Sequence, residues 1–443
     1  MAEIFPFRAF RYNAKRVEPA KVLTQPYDKI TPAMAEKYAA ASPYNLIPVE
    51  KGKSLPDDAA GNNVYTRAAK ALEDWIWEGV IVRDETPSLY AYFQEYTVPR
   101  TSDRRTRKGF IAVGRVEDYT SNVVFRHEQT LSGPKADRLE LLRHTKTHTG
   151  QLFMMYKDAA RRVDALLDAA AQGKPEVEIR DEYDVVHRLW PITDSKAIEA
   201  IQREMADKKL VIADGHHRYE TALAYRDESR ARAGRTDLNA PYEKVMMSVF
   251  NTDGEGWTIL PTHRVVANVK GFSFEAFRAA LADIFYWQSY PFGANDRSKV
   301  YETFRRDLEG RGREQRAIGV YAGGGAFHIA TLKKNADLEA LMPGISAAQR
   351  SLDVVLLHRL IIERGLGITP DAVKTEKNIT YEREMDTAVA EVDQGGAQLC
   401  FLLNSVTVET VASMAMAGEV LPQKSTDFFP KLMSGITMYR LEE

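Results

Sequence analysis

The chain of 443 residues carries a single cysteine, Cys400. One thiol excludes an intramolecular disulfide, a zinc site built on several thiolates and a two-cysteine redox cycle within the chain. An excess of charge of one sign is also lacking. The 60 Lys+Arg stand against 62 Asp+Glu, a formal net charge of −2, so the strongly basic face that serves nonspecific nucleic-acid or anionic-membrane binding is not expected. Long apolar runs are missing as well. Stretches such as Leu399–Leu403 fall far short of the roughly 20 residues that cross a bilayer. Met1–Arg11 has no signal-peptide core, and a soluble, cytoplasmic protein is expected.

What is present is ordinary in bulk. Hydrophobic residues make up 44% and charged residues 28%, close to globular averages. The length suits about two to four domains. With no internal repeat, organisation must come from alternating elements. Apolar periodicity predicts helices at Thr31–Ala41, Val64–Glu78, Leu139–Thr145, Ser195–Asp207, Phe272–Asp283, Ser298–Gly310 and Ser351–Arg364. Strands are predicted at Leu89–Tyr96, Lys108–Val113, Asn122–Phe125 and Leu152–Tyr156, as a pair within Glu176–Trp190, and again within Val245–Val266. Gly323-Gly324-Gly325 falls inside Ile318–Leu332 without phosphate-loop spacing or a following lysine, so it predicts a hairpin turn. Cys400 sits in an apolar run after Gly395-Gly396 and predicts a buried strand. The fold class is mixed α/β.

One segment carries more chemistry than the rest. Leu210-Val211-Ile212-Ala213 predicts a short strand, and Asp214-Gly215-His216-His217-Arg218 follows it directly into a helix. Unsatisfied amides at a helix start favour anions. Gly215 lets the backbone approach a phosphate, Arg218 can pair with its oxygens, and Asp214 can accept a proton or hold Mg²⁺. An aspartate cap with exposed histidines is the plainer alternative.

The segment Ile212–Ala222 resembles the phosphate-binding turn of the ParB/sulfiredoxin superfamily, which includes free serine kinases with a similar Asp-Gly-His-His-Arg sequence. The whole chain resembles the bacterial and archaeal domain-of-unknown-function family numbered ten-fifteen. The blocks that carry this are Pro26-Tyr27-Asp28, Pro43-Tyr44-Asn45, Phe125–Thr130, Pro134–Arg138, Leu260–Arg264 and Pro422–Lys431. The resemblance implies a ParB/sulfiredoxin-like phosphate-binding core over 1–265, an α/β insertion or accessory domain over 266–345 and a C-terminal α/β segment over 346–443 that lends a loop to the site. Sulfinic-acid reduction is not implied, because His216 stands where that chemistry needs cysteine.

The remaining candidates fall in those blocks. Arg126, His127, Glu128, Lys135, Asp137 and Arg138 crowd a stretch broken by Gly133-Pro134 and read as a loop. Arg126, His127, Lys135 and Arg138 are candidates for phosphate or nucleotide, and Glu128 and Asp137 for substrate. Thr262-His263-Arg264 suggests a strand end delivering His263 and Arg264 to substrate. Lys424, Ser425, Thr426 and Lys431 suit phosphate recognition. Asp28 fits the carboxylate that activates a substrate hydroxyl in the related serine kinases, and His216 and His217 join Asp28 and Asp214 as the catalytic set. The expected function is phosphoryl transfer to a small hydroxyl metabolite, free serine foremost, with ADP or ATP and Mg²⁺. A phosphatase of phosphoserine-like metabolites and a non-catalytic nucleotide-binding regulator are the alternatives. The expected partner is a small phosphate or nucleotide ligand, with neither nucleic acid nor membrane; the sequence sets no oligomeric state.

Overall fold

The computed structural model describes residues 2–128, 132–374, 377–422 and 424–441. Gln129, Thr130 and Gln423 of the sequence blocks lie outside them. Two compact units form, one from Met1–Thr258, Ala415–Gly418 and Phe428–Glu443, the other from Ile259–Met414 and Glu419–Asp427. Among the described residues no helix is long and apolar enough to cross a membrane.

The first unit is built on a nine-stranded sheet. Its order is Val124–Phe125, Leu210–Asp214, Leu152–Tyr156, Lys244–Asn251, Arg104–Arg115, Leu89–Thr97, Val186–Ile192 and Val177–Arg180, with Ile4–Phe5 added beside Arg104–Arg115. Two pairings are parallel, Leu210–Asp214 with Val124–Phe125 and Lys244–Asn251 with Leu152–Tyr156. The sheet is therefore mixed, as the α/β reading requires. Its middle strands are buried along nearly their whole length, Lys244 alone being only half-buried, which is why they read as apolar runs rather than alternating ones. The Ser195–Met205 helix buries Ile198, Ile201 and Met205, and Tyr219 and Ala222 of the His216–Ala233 helix join the same core.

The second unit has a six-stranded antiparallel sheet. The order is Phe285–Pro291, Ala326–Leu332, Ala317–Tyr321, Leu399–Leu402, His263–Val266 and Ile379–Glu382. Residues from the 266–345 and 346–443 stretches thus share one sheet. Gly323, Gly324 and Gly325 all take positive φ at the expected hairpin turn, and Cys400 is fully buried in its strand.

Two expectations need correction. The stretch from Arg126 to Arg138 is not loop throughout, because a helix opens at Ser132 and runs to Thr145. Pro134 is tolerated since its missing N–H belongs to the first helical turn, where the donor has no partner anyway. The helix expected over Ser351–Arg364 is α-helical only over Asp353–Leu356 and continues as a π-helix over Leu357–Gly365. The wider turn accompanies a contact from Arg264 Nε to His358 Nε2 at 3.3 Å.

The sheet's packing sets a test. Gly109 faces Phe250 across the ladder, and a Cβ there meets the Phe250 ring and the Val249 carbonyl oxygen at 2.4 Å. Gly109→Ala should cost about 1–3 kcal/mol through overpacking, read as a lowered urea midpoint.

Candidate functional site

The strand Leu210–Asp214 bulges against Leu152–Tyr156 between Ile212 and Asp214, and the bulge re-aims Asp214 at the strand end. Gly215 then turns the chain at φ 96°, a left-handed value that L side chains resist. A Cβ at Gly215 would lie 3.2 Å from both Arg218 Nε and Leu152 Cδ2. Its N–H donates to Asp214 Oδ1 at 2.7 Å. The helix His216–Ala233 starts there, so its first amides face the turn.

Asp214 is the electrostatic centre of the site. Lys431 Nζ donates to its Oδ2 at 2.9 Å. Burial favours the neutral acid, but Lys431, Arg218 and Lys29 together outweigh it and hold the carboxyl well below the usual range. Three cations thus favour the ionised form of one carboxylate. Arg218 Nη1 donates to the Gln151 carbonyl, while its buried Nε has no hydrogen-bond partner.

The histidines divide into two kinds. His127 is fully buried, its Nδ1 lies 2.7 Å from the Ile212 carbonyl oxygen, and burial pushes it down to about 4. Its N–H donates to His216 Nε2 at 3.4 Å, and the two rings meet edge to face at 4.7 Å. Burial also drives His216 well below the ordinary imidazole value. Both are thus neutral near pH 7 and tied to each other. His217 is only half-buried; burial lowers it, against the pull of Glu220, Asp28 and Asp214.

Asp28 is exposed, in a turn closed by Lys29 N–H to the Pro26 carbonyl at 2.8 Å. Its neighbour Tyr27 lies under the Arg138 guanidinium at 4.3 Å, and burial raises its hydroxyl to about 12. Arg138 also pairs with Asp137 at 2.6 Å and donates to the Glu50 carbonyl at 3.1 Å. Arg126 and Lys135 approach Glu220 at 3.6 and 3.5 Å. Glu128, half-buried, follows His127.

The first unit therefore gathers Asp28, Arg126, His127, Lys135, Arg138, the whole Asp214–Arg218 turn and Lys431. Lys424, Ser425, Thr426, His263 and Arg264 belong to the second unit. There Arg264 is buried and donates to the Lys424 carbonyl at 3.2 Å, and Ser425 Oγ donates to the Pro422 carbonyl at 2.5 Å. Lys29, Gln94, Arg107 and Gln151 were missed by sequence reasoning. Gln94 left a signal, an amide inside the predicted strand Leu89–Tyr96, directly after the apolar run Leu89–Phe93.

Fold and site together define a mixed-sheet α/β protein whose strand-to-helix turn concentrates positive charge. The chain belongs to the family described as "Protein of unknown function (DUF1015)", whose model matches residues 4–355. No curated protein matches the chain. Similar solved structures include a conserved hypothetical protein from Pyrococcus furiosus, 12% identical, covering 72% of this chain and 92% of that one, TM-score 0.34. A free serine kinase in complex with AMP is 11% identical, with 71% and 89% covered and TM-score 0.34. SbnI with a C-terminal truncation, from Staphylococcus aureus, is 9% identical, with 73% and 85% covered and TM-score 0.34. Likenesses this distant transfer no residue role.

The ion pair can be tested without a ligand. Lys431→Met leaves Asp214 a partly buried carboxylate without its ammonium and should cost roughly 2–3 kcal/mol. Asp214 is depressed in the folded state, so its contribution is present above the unfolded value of about 3.9 and is lost as pH falls below it. The stability gap between wild type and Asp214→Asn should accordingly narrow as urea melts are moved from pH 7 to pH 3.

Proposed function

We propose that the protein transfers a phosphoryl group between a nucleotide and a small hydroxyl metabolite, with free serine the leading acceptor. One observation carries the reading: Lys431 donates to the Asp214 carboxylate, which Arg218 and Lys29 also help to hold ionised, at a glycine turn that opens an 18-residue helix. A helix start beside several cations favours an anion. The choice of phosphotransfer, and of serine, rests on the Asp-Gly-His-His-Arg resemblance.

In this reading the turn amides and Arg218 hold the transferring phosphoryl group, and Lys431 and Lys29 neutralise charge as it develops. Asp28 takes the proton from the acceptor hydroxyl as its oxygen attacks phosphorus and the bond to the nucleotide breaks. His217, beside Asp28, is neutral and able to share that proton. His127 and His216 hold the turn rather than exchange protons. Asp214 serves as partner to Lys431 rather than as a metal ligand, since Gly215 N–H and Lys431 Nζ already engage its two oxygens. Among the described residues no group of three or more His, Cys, Asp or Glu could hold a metal ion.

Purified protein with ATP or ADP, Mg²⁺ and L-serine should form O-phosphoserine, and Arg218→Ala should reduce turnover on the order of a hundredfold or more. Nucleotide binding without turnover of L-serine or O-phosphoserine would overturn the reading and favour a regulator. Phosphate release from O-phosphoserine without nucleotide would favour a phosphatase.

A further inference from the structure

We infer that Arg107 and Gln94, which lie outside the turn, are positioning residues that aim Lys431 at Asp214. The inference rests on the phosphotransfer reading only for its consequence on nucleotide binding. Arg107 is fully buried, and no carboxylate reaches it among the described residues. Burial lowers it to about 10, so it remains charged at neutral pH. An unpaired buried charge is costly, and two features offset that cost. Its guanidinium lies against the rings of Phe153, Phe250 and Trp257, at 4.5, 5.1 and 5.8 Å. Four of its five N–H donors are used: Nε on Gln94 Oε1 at 3.1 Å, Nη1 on the Phe429 carbonyl at 3.1 Å, and Nη2 on both Gln94 Oε1 and the Pro430 carbonyl.

Gln94 completes the set, because its Nε2 donates to the Lys431 carbonyl at 2.8 Å. Three successive carbonyls, of Phe429, Pro430 and Lys431, are thereby held by two buried side chains. Beyond them Gln151 Nε2 donates to the Met433 carbonyl at 3.2 Å, and Ser434 N–H to that of Thr24 at 2.9 Å. A lysine side chain is long and flexible. Fixing the main chain at its base confines the ammonium to the neighbourhood of Asp214 without any direct contact from Arg107 to that carboxylate.

Gln94→Glu separates this role from plain core packing, since a carboxylate still accepts from Arg107 but cannot donate to the Lys431 carbonyl. Arg107→Lys is the second variant, keeping a cation among the rings without the fork that spans two carbonyls. Full-length protein is treated with acetic anhydride and Lys431 acetylation is followed by peptide mass spectrometry. Loss of one such hydrogen bond should raise Lys431 labelling about fivefold, with the similarly covered Lys208 unchanged. Unchanged Lys431 labelling in both variants, or an equal rise at Lys208, overturns the inference. ADP titration adds a functional readout: Gln94→Glu should weaken binding, and adding it to Lys431→Met should weaken binding no further. Additive losses would also overturn it. If wild type binds no ADP while Lys431 labelling rises in the variants, the nucleotide reading fails and the positioning role stands.

Discussion

The pair between Lys431 and Asp214 is the contact on which the rest of the candidate site depends. It joins residues 217 apart in sequence and fixes the carboxylate that caps the Gly215 amide. Remove the ammonium and a partly buried anion keeps the Gly215 N–H but loses its one directly bonded cation. Keep it, and the carboxylate stays ionised at the start of the helix. The pairing matters because attraction between charges strengthens as water is excluded.

The histidines illustrate how burial sorts residues of one type into different work. His127 and His216 each spend a ring nitrogen on a neighbour inside the protein, and desolvation keeps both uncharged. His217, one residue on, faces Asp28 and Glu220 and stays within reach of solvent. Adjacent positions on a helix point about 100° apart, so neighbours in sequence meet different surroundings.

Much of the fold was legible because its central strands are buried on both faces and therefore announce themselves as apolar runs. The strand-to-helix turn was legible for a similar reason: a strand ending in Asp-Gly before a helix leaves little freedom. The boundary of the Ser132–Thr145 helix was not, since Gly133-Pro134 reads as a break when the first-turn position that accommodates proline is unknown. Arg107 was hidden for a different reason. In sequence it belongs to the run Arg104-Arg105-Thr106-Arg107-Lys108, which looks like a solvated face, and only strand alternation turns one of those side chains inward onto aromatic rings. The blocks around His263 and Lys424 could be recognised as blocks, but nothing in their residue types says that they belong to a different unit from the turn.

The division of the chain into units also imposes an order in time. Phe428–Glu443 belongs to the first unit, yet the ribosome makes it after Ile259–Met414. Throughout synthesis of the second unit, Arg107 and Asp214 lack the carbonyls and the ammonium that complete them. The first unit therefore cannot reach its final form as its own residues emerge. Its charged turn comes into being only when the end of the chain returns, and a nascent chain stalled before Phe428 carries the residues of the turn but no Lys431 to complete it.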